Sequence, residues 1–316
     1  MRRTLPAAPA IIVTCVLIGL WVLRVPLARA ADTPFYVDPD TAAAAWVTAN
    51  PDDPRSGVVR DRIADVPQAR WFTQANPDAV KAQVESYVDG ATQAGKTPIM
   101  VVYNIPNRDC NGASAGGAPD ADAYHRWIDQ VALGLTGRSA VAIVEPDALA
   151  QAGGCASSRE GSAEAAVAYA GKQLKGASPN VKVYLDAGHS HWIPPAEMAA
   201  RLTRAGVAQN ADGIATNVSN YYPTADEVAY AREVLAALGA PNLHAVIDTS
   251  RNGNGAVDGQ WCDPPGRAVG APSTTATGDP QIDAYLWVKA PGEADGCIAG
   301  AGQFVPQRAY DLATAN

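Results

Sequence analysis

Acidic and polar side chains recur at the ends of short apolar runs throughout this 316-residue chain. Asn107-Arg108-Asp109 follows the run 99–105, Glu145-Pro146-Asp147 closes the run 140–145, and Asp186-Ala187-Gly188-His189 closes the run 181–186. Asn217 and Asn220 stand at the end of 213–218, Asp248 and Arg251 at the end of 243–248, and Lys289, Glu293 and Asp295 at the end of 284–289. Six successive runs ending in such groups exceed what solvation requires, and they describe a carboxylate-rich cleft. The chain has no G-x-G-x-x-G turn; Gly112–Gly116 spells G-x-S-x-G and Gly90–Thr97 spells G-x-x-x-x-G-K-T, but the first stands well past the end of the run 99–105 and the second closes a helical stretch instead of opening one, so neither has the strand–turn–helix setting that a nucleophile elbow or a phosphate loop needs. Glycoside hydrolysis suits carboxylates alone, because one protonated acid delivers a proton to the leaving oxygen. An inverting pair stands roughly 6.5–9.5 Å apart, which leaves room for the attacking water. Neighbouring anions raise the pKa of the acid and keep it protonated near neutrality.

The elements that must hold these groups follow from the runs themselves. Each is continuously apolar and rich in β-branched residues, as expected for parallel strands buried on both faces. Amphipathic stretches lie between them, with start signals at Asn76-Pro77-Asp78 and at Thr224 with Glu227, which reads as a capping box. Gly95, Gly137 and Gly239 stand where helices should stop. Strands alternating with helices imply right-handed β-α-β units. An earlier unit, 35–39 through 69–72, supplies one or two more strands, and a total of seven or eight predicts a distorted, TIM-like β/α barrel. In that fold the loops after the strands share one face, where active sites form. The Pro-, Gly-, Ser- and Thr-rich stretch 261–281 replaces the helix expected after 243–248 and reads as an ordered loop over the site.

The segments VVYNIPNRDC (101–110), VEPDAL (144–149), YLDAGHSHW (184–192), ATNVSNYY (215–222), VIDTSRNGNG (246–255) and KAPGEADG (289–296) together resemble, in order, the motifs of glycoside hydrolase family 6, a family of endoglucanases and cellobiohydrolases. The resemblance implies an inverting enzyme acting on β-1,4-glucan with no cofactor and no metal. It makes Asp147 the general acid and Asp109 the aspartate that supports the acid's protonation and the water-mediated base step. Asp295 matches the aspartate often assigned as base, and Tyr103 the tyrosine that crowds the sugar into a distorted ring. Asp186 matches an active-centre aspartate of binding or electrostatic role, with a satisfied strand-end carboxylate as the alternative; Arg108, His189, Asn220, Lys289 and Glu293 match sugar-contacting or site-ordering positions, and the loop after Asp109 offers Ser114 and Ala115 at a mobile-loop position. Trp46, Trp192 and Trp261 match subsite platforms, where the apolar face of glucose packs on an indole. Trp71, Trp127 and Trp287 read as core. The short loops after Cys110 and between Lys289 and Gln303 imply an open cleft and endo action, with a cellobiohydrolase, a non-catalytic glucan-binding protein and a metal-dependent hydrolase as the rivals. His189-Ser190-His191 is the one pair with metal-ligand spacing, and Asn217-Val218-Ser219 is a glycosylation sequon whose place at a strand end suits a hydrogen-bonding asparagine better.

Residues 1–30 have the layout of a secretory signal peptide: Arg2 and Arg3, an apolar run from Ile11 to Leu23, then Ala28-Arg29-Ala30. The expected domains are therefore 1–30, a signal, and 31–316, one catalytic domain of a secreted, monomeric protein with no membrane contact after cleavage. Removing four arginines and no acids takes the formal charge from −8 to −12, which argues against nucleic acid as a partner. Cys15 lies in the signal and leaves Cys110, Cys155, Cys262 and Cys297, an even set compatible with an oxidising compartment and open to three pairings. The family resemblance selects Cys110 with Cys155 and Cys262 with Cys297.

Overall fold

The computed structural model describes residues 1, 33–154, 161–257 and 259–315; the expected signal peptide lies outside them. Seven parallel strands form one curled sheet in chain order: β1 (Arg70–Phe72), β2 (Ile99–Val102), β3 (Ala140–Val144), β4 (Val181–Asp186), β5 (Gly213–Thr216), β6 (His244–Asp248) and β7 (Ile282–Leu286). The helices are α1 (Ala42–Ala49), α2 (Ser56–Val59), α3 (Pro77–Gln93), α4 (Ala121–Gly134), α5 (Ser162–Ala177), α6 (Pro195–Arg204), α7 (Val207–Asn210), α8 (Thr224–Leu238) and α9 (Pro306–Thr314). The pleat explains the continuous apolar runs. Met100, Val102, Ala142 and Val144 point to the helices, while Ile99, Val101, Val141 and Ile143 fill the inside of the curl.

The edges of the sheet meet without a ladder among the described residues. The Ala69 N–H donates to Trp287 O at 2.9 Å, and the Trp71 indole N–H donates to Val288 O at 2.7 Å. The barrel is thus nearly closed, with seven strands among the described residues. The segment at 35–39 contributes only one bridge, Phe35 to Thr97, because Asp38 is held by two 2.7 Å bonds from the Arg70 guanidinium and Pro39 has no N–H to extend a ladder.

Helix α3 starts on Pro77, and Gly95, Gly137 and Gly239 take the left-handed conformation expected after helix ends. The capping box at α8 does not form. Thr224 accepts from Asn252 Nδ2 at 3.0 Å, and Glu227 is buried, accepting the Ser190 N–H at 3.0 Å, so tertiary partners displace the local ones. Among the described residues, no helix lies between β6 and β7. That connection is instead fastened by the Thr249 hydroxyl and the Trp287 indole, both donating to Ala271 O, and by Ser273 Oγ donating to Pro67 O at 2.8 Å. Trp127 and Trp287 are buried, as expected of core residues.

One buried carboxylate ties three strand ends together. Asp248, at the end of β6, accepts N–H groups from Ser219 at 3.0 Å, Ser250 at 2.9 Å, Val288 at 3.2 Å and Lys289 at 3.0 Å. Each buried donor left without a partner costs about 1–3 kcal/mol. Asp248→Ala should therefore destabilise the fold by more than about 3 kcal/mol, read as a lower denaturant midpoint at unchanged slope. A loss below about 1 kcal/mol would show that these donors find other acceptors.

Candidate active site

The loops after the strands enclose one open cleft of about 930 Å³, and Asp109, Asp147 and Asp295 all line it. Among the described residues, every non-glycine residue with left-handed φ lies in these loops: Asn107, Asp109, Cys110, Glu145, Asp147, Asn217, Ser219 and Asp263. Asn and Asp tolerate this region better than most residues, and its cost is met where the surrounding bonds over-determine the turn.

Asp147 is positioned by such a turn. Its N–H donates to Asp186 Oδ2 at 2.9 Å, and φ of 47° at Glu145 and 70° at Asp147 swing the carboxyl toward the cleft. Burial first, then the charges of Asp109 and Asp295, push its pKa up to about 7. Asp109 comes from the loop after β2, where Oδ2 accepts the Ser114 N–H at 2.7 Å and Oδ1 accepts from Gln151 Nε2 at 3.3 Å. Gly112 makes this possible, since a Cβ there would lie 2.5 Å from Asp109 Oδ2.

Asp295 is held as an anion. Arg251 Nη1 donates to both its oxygens at 2.8 and 2.9 Å, Tyr221 OH donates at 2.8 Å, and Lys289 Nζ stands 3.8 Å away. Burial alone would raise its pKa, but Arg251 and then Lys289 outweigh it and hold the carboxyl below its ordinary range. Arg251 is itself buried, donates to Ser219 O, and stacks its guanidinium 4.3 Å from the Tyr221 ring. Asp263 completes the cradle. Its N–H donates to Asp295 Oδ2 at 3.1 Å, and its carboxylate accepts the N–H groups of Asp295, Cys297 and Ile298. The Cys262–Cys297 disulfide braces the same two segments. Cys110 is also disulfide-bonded, while Cys155 lies outside the described residues.

Most of the remaining expected residues share the cleft: Tyr103, Arg108, His189, Trp192, Asn220, Trp261, Lys289 and Glu293 all line it, as do Ser114 and Ala115. Arg108 lies 4.7 Å from the Tyr103 ring and donates to Tyr103 O, Thr73 O and Ser114 O, so it orders the loop as much as it faces solvent. Burial raises the Glu293 carboxyl, against the pull of Lys289 and Arg251. Burial, with a smaller contribution from His191, lowers His189 to about 4, so its imidazole is neutral across the ordinary pH range.

Two expectations are corrected by position, those for Trp46 and Trp71, and for Asp186 the structure replaces substrate binding with the strand-end alternative. Trp46 lies on α1 outside the cleft lining, its ring beside Phe304 at 6.2 Å and under the Arg55 guanidinium at 5.4 Å. Its place at the rim is taken by Trp71, expected in the core: it stands half-buried on the short edge strand β1, lines the cleft, and meets Tyr103 edge-on at 5.4 Å. An indole on an edge strand has only one packed side, which is why the core assignment failed. Asp186 is buried beneath the cleft, where Oδ2 accepts the N–H groups of Asp147 and Gly188, so it supports the acid's backbone and does not face the cleft. Asn217 is fully buried, with its amide bonded to Tyr222 and Asp248, as the hydrogen-bonding reading of the sequon requires. Asp263 carries no local sequence signal and that of Glu227 pointed to a helix cap; their partners lie more than thirty residues away in the chain.

A model of the family described as Glycosyl hydrolases family 6 matches residues 30–313. Endoglucanase A of Thermobispora bispora is 60% identical over 287 residues, which cover 90% of this chain and 63% of that protein; the chain thus spans under two thirds of that relative. Endoglucanase 1 of Streptomyces halstedii is 43% identical over 301 residues, covering 91% of this chain and 92% of that one. Among solved structures, the endoglucanase Cel6 of Mycobacterium tuberculosis, in complex with methyl-cellobiosyl-4-deoxy-4-thio-β-D-cellobioside, superposes with a TM-score of 0.82 at 42% identity, covering 90% of this chain and 98% of that chain. The catalytic core of the cellobiohydrolase Cel6A of Chaetomium thermophilum gives 0.76 at 26% identity, over 89% and 96%. With three carboxyls converging in one cleft at the C-terminal ends of seven parallel strands, and with this match spanning nearly all of its length, the chain belongs to glycosyl hydrolases family 6.

Proposed function

We propose that this chain is a secreted endoglucanase that hydrolyses internal β-1,4-glucosidic bonds with inversion. The observation that carries the reading is Asp147, a carboxyl that burial and then the charges of Asp109 and Asp295 push up to about 7, in a cleft walled by Trp71, Trp192 and Trp261. An acid of that pKa is protonated at mildly acidic pH and gives its proton to the departing glycosidic oxygen. The open, 930 Å³ cleft and the endoglucanase relatives support internal cleavage over chain-end cleavage. Secretion rests on the residues 1–30 pattern alone.

In this mechanism the glucan lies across Trp71, Tyr103 and Trp192. Tyr103 crowds the ring at the cleavage point, and Asp147 protonates the leaving oxygen as the glycosidic bond breaks. Water attacks the opposite face of the same carbon and loses its proton to solvent beside Asp109. Asp295 is a poor base, because Arg251 and Tyr221 occupy both of its oxygens. It serves as a fixed negative charge that stabilises the oxocarbenium-like transition state and keeps Asp147 protonated.

The wild type should lower the viscosity of a soluble cellulose derivative, and NMR of the first product from cello-oligosaccharides should show the α anomer. Tight glucan binding with no fall in viscosity would replace the enzyme with a binding protein, and a β anomer would exclude inversion. Asp147→Ala should reduce cleavage of unactivated glucan by about 10²–10⁴-fold while sparing substrates whose leaving group needs no proton. Equal loss on both would remove Asp147 from the acid role. Activity needs Asp147 protonated, so it should be present below its pKa and decline as pH rises through about 7. Asp109→Asn removes one of the charges that raise it, and the alkaline limb of the residual activity should move to lower pH. An unmoved limb would assign it to another group.

A further inference from the structure

The one pair with metal-ligand spacing is spent on something else. His189 and His191 both lie against the Tyr222 ring, each with its centroid 4.5 Å away, at interplanar angles of 23° and 8°. His189 Nδ1 accepts the His191 N–H at 3.2 Å. Both imidazoles therefore stack on a phenol, and His189 Nδ1 is already taken by a backbone N–H. Tyr222 and His191 have no part in the mechanism above, yet both line the cleft beside Trp192, whose indole lies 5.4 Å from His189.

The stack is rigid from below. The Tyr222 N–H donates to Asn217 Oδ1 at 3.1 Å, and Tyr222 O accepts from Asn217 Nδ2 at 3.2 Å and Asn252 Nδ2 at 3.0 Å. Between the two histidines, the Ser190 N–H is fixed by buried Glu227. His191 itself is exposed, so the face turned from Tyr222 meets the solvent of the cleft. A flat ring already held in place loses little freedom when a sugar settles on it. It offers a pyranose a flat ring face, smaller and more polar than an indole's, and its ring N–H adds a donor for a hydroxyl.

We propose that the His189–Tyr222–His191 stack is a sugar-binding ledge that takes one glucosyl unit of a β-1,4-glucan on the free face of His191, lengthening the cleft past Trp192. This rests on the glucanase reading and adds a residue that sets preference for chain length. His191→Ala removes the ledge while leaving Tyr222 and His189 in contact, and His191→Phe keeps a ring.

The test is kcat/KM on cello-oligosaccharides of increasing length, from the shortest that the wild type cleaves. His191→Ala should lower the ratio of long-chain to short-chain kcat/KM by ~5–10-fold, through KM and not kcat, and His191→Phe should restore most of it. A ratio unchanged from wild type, an equal loss at every length, or no rescue by Phe would overturn the ledge. If the wild type cleaves none of these chains, the glucanase reading itself fails, and the two outcomes are thereby distinct.

Discussion

A neutral carboxyl among fixed anions is the constraint on which this structure turns. Burial first, and then the charges of Asp109 and Asp295, let Asp147 hold its proton near neutrality, and Asp295 stays charged because a buried arginine, Arg251, is bonded to it. A buried ion pair is expensive to desolvate and strongly destabilising when one partner is removed. Here that cost is offset by a closed set of bonds: Tyr221 and the Asp263 N–H on the carboxylate, Ser219 O and the Tyr221 ring on the guanidinium. The cluster joins the ends of β5, β6 and β7, so the charge that tunes the acid is also a fastener of the barrel's last three strands.

The same device recurs around the cleft floor. Glu145, at the end of β3, accepts the N–H groups of Asn104 and Ile105 from the loop after β2, and the Tyr124 hydroxyl at 2.8 Å. Burial pushes it up to about 7 against those bonds. Asp186, at the end of β4, accepts the Asp147 N–H from the loop after β3. Asp248 links the loops after β5 and β7. Each acid thus holds the loop of a neighbouring strand, and the chain of clamps sets the left-handed turns that aim Asp109 and Asp147 into the cleft. Parallel strands end with unpaired backbone donors, and carboxylates placed beneath the loops are an efficient way to satisfy them.

This division of labour also explains which parts of the site were legible. The six runs and their polar ends located the cleft correctly, because a strand buried on both faces has no freedom in its composition and the loops after parallel strands must share a face. Yet the acids at those ends do two different jobs. Asp109 and Asp147 face the cleft, whereas Glu145, Asp186 and Asp248 turn beneath it, and residue type alone does not separate them. Trp46 and Trp71 exchanged roles for a similar reason: both are tryptophans near the start of the domain, and only the edge position of β1 exposes one of them to the cleft.

The sequence by itself determined the alternation of strand and helix, the helix starts and stops at Pro77 and the glycines, the missing helix after β6, and the residue types gathered at the strand ends. These follow from periodicity, from backbone restrictions and from motif order, all of which are local. The tertiary structure decided what depends on contacts across the chain: seven strands among the described residues, Glu227 drawn from its helix cap to Ser190, Arg251 brought against Asp295, and two histidines laid on Tyr222. A hydrogen bond or a neighbouring charge changes a side chain's role at a distance of a few ångströms, and no spacing along the chain encodes which distant residue will arrive there.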